Sequence, residues 1–108
     1  MQIVVTGRHV EVPDDVRSYA EEKARKLRRF YNRIQAIEVV FDHESEQFRA
    51  EMLVRVDRQE TFVASDSGAD TFALIDIVVD KLERQLIKCK EKRRNHKHDG
   101  KVDELHGT

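Results

Sequence analysis

The chain carries a single cysteine, Cys89, so no internal disulfide can staple it, and a lone thiol suits a reducing, cytoplasmic setting. No stretch approaches the roughly 18 consecutive apolar residues of a membrane-spanning helix, which excludes a helical span and a membrane partner of that kind. The opening MQIVVTGRHVEV has no basic region followed by a long apolar run, so it does not read as a secretory signal. Glycine is scarce, with four in the chain, and none sits in a phosphate-cradling loop or a G-x-S-x-G elbow. The histidines are scattered: His9, His43 and His106 stand alone, while His96 and His98 form an HKH pair with no third ligand at metal spacing. These absences remove the usual sequence signs of nucleotide hydrolysis, serine-hydrolase chemistry and metal catalysis. The expectation is a non-enzymatic protein with no cofactor, no metal and no small-molecule substrate.

What the chain has in quantity is charge. Of its 108 residues 38% are charged and 39% hydrophobic, a polar balance for a length that holds one domain and one core. The apolar residues are gathered in periodic segments, which points to a folded domain with a heavily charged surface rather than a disordered chain. The net charge of −1 hides an uneven map. Residues 1–34 hold eight Lys/Arg against five Asp/Glu, residues 35–80 three against eleven, and residues 81–108 nine against five. A middle that repels polyanions, set between two ends that attract them, argues for one binding face with the opposite face kept off nucleic acid.

Gln2 to Thr6 has the β-branched density of a short strand, and Gly7 punctuates it. Pro13-Asp14-Asp15 opens a helix, the proline suiting a first turn and the acids the positive end of the dipole. Val16, Ala20, Ala24, Leu27, Tyr31 and Ile34 then recur at steps of three and four, a buried stripe of helical period. From residue 35 the period falls to two. Ile37, Val39 and Phe41 alternate with polar neighbours, as do Phe48, Ala50, Met52, Val54 and Val56, and Thr61 to Ser65 is a third, shorter run. Short polar connections make these an antiparallel meander with one apolar face for the helices to cover. Ser67-Gly68-Ala69-Asp70 fits a capping box, and the helix after it places Phe72, Ile75, Val79, Leu82, Leu86 and Cys89 on its apolar stripe. Cys89 reads there as a small buried hydrophobe rather than a nucleophile. Asp70, Asp76 and Asp80 read as capping, solubilising or helix-pairing groups. The order β-α-β-β-β-α predicts a two-layer α+β domain, a four-stranded sheet with both helices on one face, over residues 1–96. Residues 97–108 are expected to form a polar, flexible tail.

On the second helix Lys81, Arg84, Lys88 and Lys92 follow at steps of three, four and four. They share one face, a quarter to a third of a turn from the apolar stripe. Lys90, Arg93, Arg94 and Lys97 spread positive charge around the rest of the helix. A solvated helix whose last cations complement the dipole accounts for Lys81 and Arg84 taken alone. For the whole run only Glu83 and Glu91 offset the repulsion, and a phosphate backbone is the natural counter-surface, with counterion release supplying affinity. The first helix adds Arg17, Lys23, Arg25, Lys26, Arg28 and Arg29, several of which can pair with Glu21 and Glu22. Two helices with basic outer faces are expected to make a positive groove, a layout like that of double-stranded-RNA-binding domains.

The segments MQIVVTGRHVEV, VASDSGADTFALID and DKLERQLIKCKEK together make the chain resemble the ribosome hibernation promoting factor and ribosome-associated inhibitor family, also labelled sigma-54 modulation proteins. The resemblance covers roughly residues 1–96 and implies the fold derived above. It also implies binding to the small ribosomal subunit, in the channel of messenger and transfer RNA near the decoding centre, which blocks translation and preserves idle ribosomes in stationary phase or starvation. In that family's terms Lys81, Arg84, Lys88, Lys90 and Lys92, with Arg93 beyond them, would contact ribosomal RNA phosphates. Arg25, Lys26 and Arg29 lie in the corresponding basic region of the first helix. Asp70 and Asp76 match family acids. Pro13 stands where a Ser or Thr cap is common, and Cys89 where histidine or another polar residue is usual. The ending KHDGKVDELHGT is too short for the extra dimerisation domain of long members, which leaves room for a separate ribosome-dimerisation factor. Two other readings stay open: a double-stranded-RNA-binding module acting away from the ribosome, and a protein-interaction or transcription-modulating module using an acidic sheet face.

Overall fold

In the computed structural model, which describes the backbone of residues 1–57 and 60–106 and side chains up to residue 92, the change of period in the sequence becomes a change of layer. The strands are β1 (Gln2–Arg8), β2 (Ile34–Glu44), β3 (Gln47–Val56) and β4 (Thr61–Gly68). They lie side by side in chain order, with β1 parallel to β2 and the other pairs antiparallel. A parallel neighbour needs a crossover, and α1 (Asp14–Arg25), extended by a 3-10 turn at Lys26–Arg29, supplies it. The long helix α2 (Thr71–His106) follows β4. Both helices share one core with a single face of the sheet.

Strict alternation sets which face that is. Val5 pairs with Val39, Val39 with Met52 and Met52 with Ala64, so one row of buried side chains crosses all four strands. In the next row Gly7 pairs with Phe41 and Phe41 with Ala50. Gly7 is required for space: a Cβ there would run into the carbonyl oxygen of Val10, where the chain folds back toward α1.

The first helical stripe forms as expected, with Val16, Ala20, Ala24, Leu27 and Tyr31 buried, while Ile34 already belongs to β2. Pro13 is the extended residue just ahead of α1 and gives no side-chain cap. Its carbonyl accepts the Arg17 amide at 2.9 Å, and Asp14 and Asp15 occupy the first turn.

The second helix departs from expectation at its start and in its rotation. Ser67 and Gly68 are still in β4, so they form no capping box. Asp70 caps the helix instead, its Oδ1 accepting the amides of Phe72 at 2.9 Å and Ala73 at 3.3 Å. The side chains buried on the sheet are Leu74, Ile75, Val78, Leu82 and Leu86. Phe72 is exposed, and Val79 and Cys89 are half-buried. The run ALIDIVV offers apolar residues on most sides of the helix, so periodicity alone does not choose between neighbouring stripes. Contact with α1 decides, because α2 turns Phe72 and Val79 toward that helix. Among the described residues no helix is long and apolar enough to cross a membrane.

Leu82→Ala, at a fully buried position, is expected to cost about 2–5 kcal/mol in urea unfolding, and Ile77→Ala on the exposed side about 0.5 kcal/mol or less. Gly7→Ala is expected to lower the unfolding midpoint as well, because Val10 must move to admit the methyl group.

Candidate nucleic-acid interface

The rotation of α2 fixes where its cations go. With Leu82 and Leu86 on the sheet, Lys81 and Gln85 overhang the free edge of β4. There Lys81 Nζ donates to the Ser65 carbonyl and Gln85 Nε2 to the Val63 carbonyl, each at 3.0 Å. Lys81 also lies 3.4 Å from Asp66 Oδ2. Asp66 accepts the Ser67 amide at 2.8 Å, and that bond, followed by the Lys81 charge, holds its carboxyl below the ordinary value of 3.8. Arg84, on the solvent side, pairs with Asp80 one turn earlier at 2.8 Å. Lys88, Lys90 and Lys92 take part in no ion pair among the described residues. Lys88 and Lys92 continue the Lys81 flank. Lys90, seven residues past Glu83, lies on the side that faces α1. The Arg93 side chain lies outside the described residues.

The first helix does not join this flank to make one positive groove. The cleft between the helices, about 150 Å³, is lined by Lys23, Lys26, Leu27, Arg29 and Phe30 on one wall, and by Val79 and Glu83 on the other. Only its α1 wall is basic. Arg25 turns the other way and, with Arg28, Glu21, Met1 and Ile3, lines an open recess of about 400 Å³ beside β1. The expected groove is therefore replaced by two cationic flanks, one along β4 and one around α1. Nor does the acidic middle of the sequence make an acidic sheet face. On the face away from the helices Asp42 of β2 pairs in register with Arg49 of β3, Glu38 of β2 pairs with Leu53, and along β3 Glu51 lies between Arg49 and Arg55. Of the other acids, Glu44 ends β2, Asp66 lies on β4 and holds Lys81, and Asp76 and Asp80 are on α2.

Of the capping, solubilising and helix-pairing roles open to Asp76, the structure shows helix pairing. Asp76 Oδ1 accepts the Tyr19 hydroxyl at 2.7 Å and lies 3.4 Å from Lys23 Nζ. Lys23 in turn stands 5.6 Å from the centre of the Tyr19 ring, and Tyr19 meets Phe72 edge to face at 5.2 Å. The bond to Asp76 raises the Tyr19 pKa, and the Asp76 charge raises that of Lys23. This cluster ties α1 to α2. The sequence signals for it are slight: a tyrosine just beside the stripe, and one acid within ALIDIVV. Among the described residues no three His, Cys, Asp or Glu side chains are grouped to hold a metal ion.

The two-layer β-α-β-β-β-α fold matches that of solved ribosomal subunit interface proteins. A solved structure of one from Coxiella burnetii superposes with a TM-score of 0.78 at 25% identity, covering 84% of this chain and 99% of that one. The N-terminal domain of Thermus thermophilus Protein Y superposes with a TM-score of 0.72 at 31% identity, covering 82% and 98%. Residues 3–94 match the family described as Sigma 54 modulation protein / S30EA ribosomal protein, and the chain belongs to that family. It is 39% identical over 92 residues to the ribosome hibernation promoting factor of Azotobacter vinelandii, covering 85% of each chain. With that of Escherichia coli K12 it shares 35% over 96 residues, 89% of this chain and 100% of the other.

Asp70→Ala is expected to cost about 1 kcal/mol in urea unfolding, as loss of a helix cap does. Asp42 and Asp66 both titrate below 3.8, Asp42 chiefly through the His43 amide and then His9. Their contribution is therefore full above that pH and is lost as pH falls through their folded values. In acid titration followed by circular dichroism, Asp66→Asn is expected to lose less stability than the parent below about pH 4.

Proposed function

We propose that this chain is a ribosome hibernation factor. It occupies the messenger and transfer RNA channel of the small ribosomal subunit near the decoding centre, blocks translation there, and preserves inactive ribosomes under stress or in stationary phase. The observation that carries the reading is the end of the apolar stripe on α2. Past Leu86 the helix has little left to bury, yet Lys88, Lys90 and Lys92 project from it without carboxylate partners among the described residues. Cations left unpaired in this way gain by releasing the counterions of a phosphate backbone. Family membership and the relatives named as hibernation promoting factors support ribosomal RNA as that backbone.

In this reading residues 1–96 are the ribosome-binding domain and 97–108 a polar tail. Arg84, Lys88, Lys90, Lys92 and Arg93 supply one set of RNA contacts, and Arg25, Lys26 and Arg29 the other. Lys81 stands at the start of the same flank, with its ammonium already held on the β4 edge. Action is steric and electrostatic, with no bond made or broken and no cofactor. The setting is the cytosol, and the reading leaves room for a separate factor where idle ribosomes pair.

Sucrose-gradient sedimentation tests this. The chain is expected to travel with small subunits, and the triple change Arg84→Glu, Lys88→Glu, Lys92→Glu is expected to leave it at the top of the gradient while its circular dichroism stays native. Equal, salt-sensitive binding to any duplex RNA with no preference for subunits would replace this reading with a general RNA-binding one.

A further inference from the structure

An edge strand presents unpaired backbone groups on which another strand can build. On β4 two such carbonyls, those of Val63 and Ser65, point away from β3 and are taken by Gln85 and Lys81 of α2. The spacing of this clip follows from geometry. Four residues of helix advance about 6 Å, and two residues of strand about 6.6 Å. A pair of donors one turn apart on a helix running against the strand can therefore meet alternate carbonyls along its edge. Asp66 completes the arrangement by holding the Ser67 amide on one oxygen and the Lys81 ammonium on the other. The opposite edge of the sheet is met in a similar way, by Arg17 of α1 donating to the Val5 carbonyl at 2.7 Å.

We propose that Lys81 is a positioning residue rather than a phosphate contact. Together with Gln85 it clips α2 to the edge of β4, and so sets the rotation of the helix that presents Arg84, Lys88 and Lys92 to RNA. This rests on the ribosome-binding reading for its effect on affinity but not for the clip itself. Lys81 and Lys88 share one flank and one side-chain type, and differ in what the ammonium already holds. Charge at Lys88 is free for a phosphate. At Lys81 what matters is the donor.

The test compares Lys81→Gln, Lys81→Met and Lys88→Gln in the full chain by two measurements. The first is the salt dependence of binding to purified small subunits. Lys88→Gln is expected to flatten the log–log slope by about 0.7–0.9, the loss of one phosphate contact. Lys81→Gln keeps a donor for Ser65 and is expected to keep the parent slope. Lys81→Met is expected to weaken binding several-fold, again at the parent slope. The second measurement is amide hydrogen exchange along β4 in the free protein, expected to speed up in Lys81→Met and to stay at the parent rate in Lys81→Gln. A slope for Lys81→Gln that falls as far as that of Lys88→Gln would overturn the proposal, as would unchanged β4 exchange in Lys81→Met. If the parent chain fails to bind subunits at all, the functional reading falls, and the exchange measurement still decides the clip.

Discussion

The burial of Leu74, Ile75, Val78, Leu82 and Leu86 against the sheet fixes the rotation of α2 about its own axis, and nearly every other feature of the surface follows from that setting. Each of these side chains is worth about 1.5–3 kcal/mol when taken out of water. Turning the helix by even one residue would expose several of them together, a cost no surface ion pair could offset. With the angle set, Lys81 and Gln85 fall over the β4 edge, and Asp76, Val79 and Glu83 fall toward α1. Arg84 is left in solvent, and the Lys81 flank continues outward through Lys88 and Lys92. The cationic surface is thus a consequence of packing on the far side of the same helix.

Electrostatics then sorts the charges into those spent inside the fold and those left over. Asp66 and Asp70 serve backbone amides, Asp76 holds Tyr19 and Lys23, and Asp80 holds Arg84. These are exposed or half-exposed pairs, so their individual worth is small. Their collective effect is to place the acids of the 66–80 segment at helix caps and helix contacts, away from the outer half of α2. The later cations have few such partners. A near-neutral chain can in this way carry a strongly positive surface at one end.

Much of this was legible in the residues. Alternation in β2 and β3 and the stripe of α1 named buried side chains correctly apart from Phe48, which is half-buried, and Ile34, which is buried from β2, because each segment has one apolar face and a polar remainder. The stripe of α2 was misplaced by about one residue at Phe72 and Val79, since ALIDIVV is apolar nearly all round. Only contact with α1 and the sheet selects among its faces. The cap was misplaced because Ser67 and Gly68 pair with Arg49 and Phe48 in the sheet, an interaction invisible to a local pattern. The cations themselves were evident from composition. That Lys81 already spends its ammonium on a strand edge, and that the α1 cations face elsewhere, depends on distances that no spacing rule encodes.

Density for the chain bound to a small ribosomal subunit, at a resolution that shows side chains, tests the central claim most directly. The α2 flank from Arg84 to Lys92 is expected to lie along ribosomal RNA phosphates in the messenger and transfer RNA channel, with Lys81 still on the β4 edge. A complex in which that flank faces solvent and the outer face of the sheet meets the ribosome would contradict it.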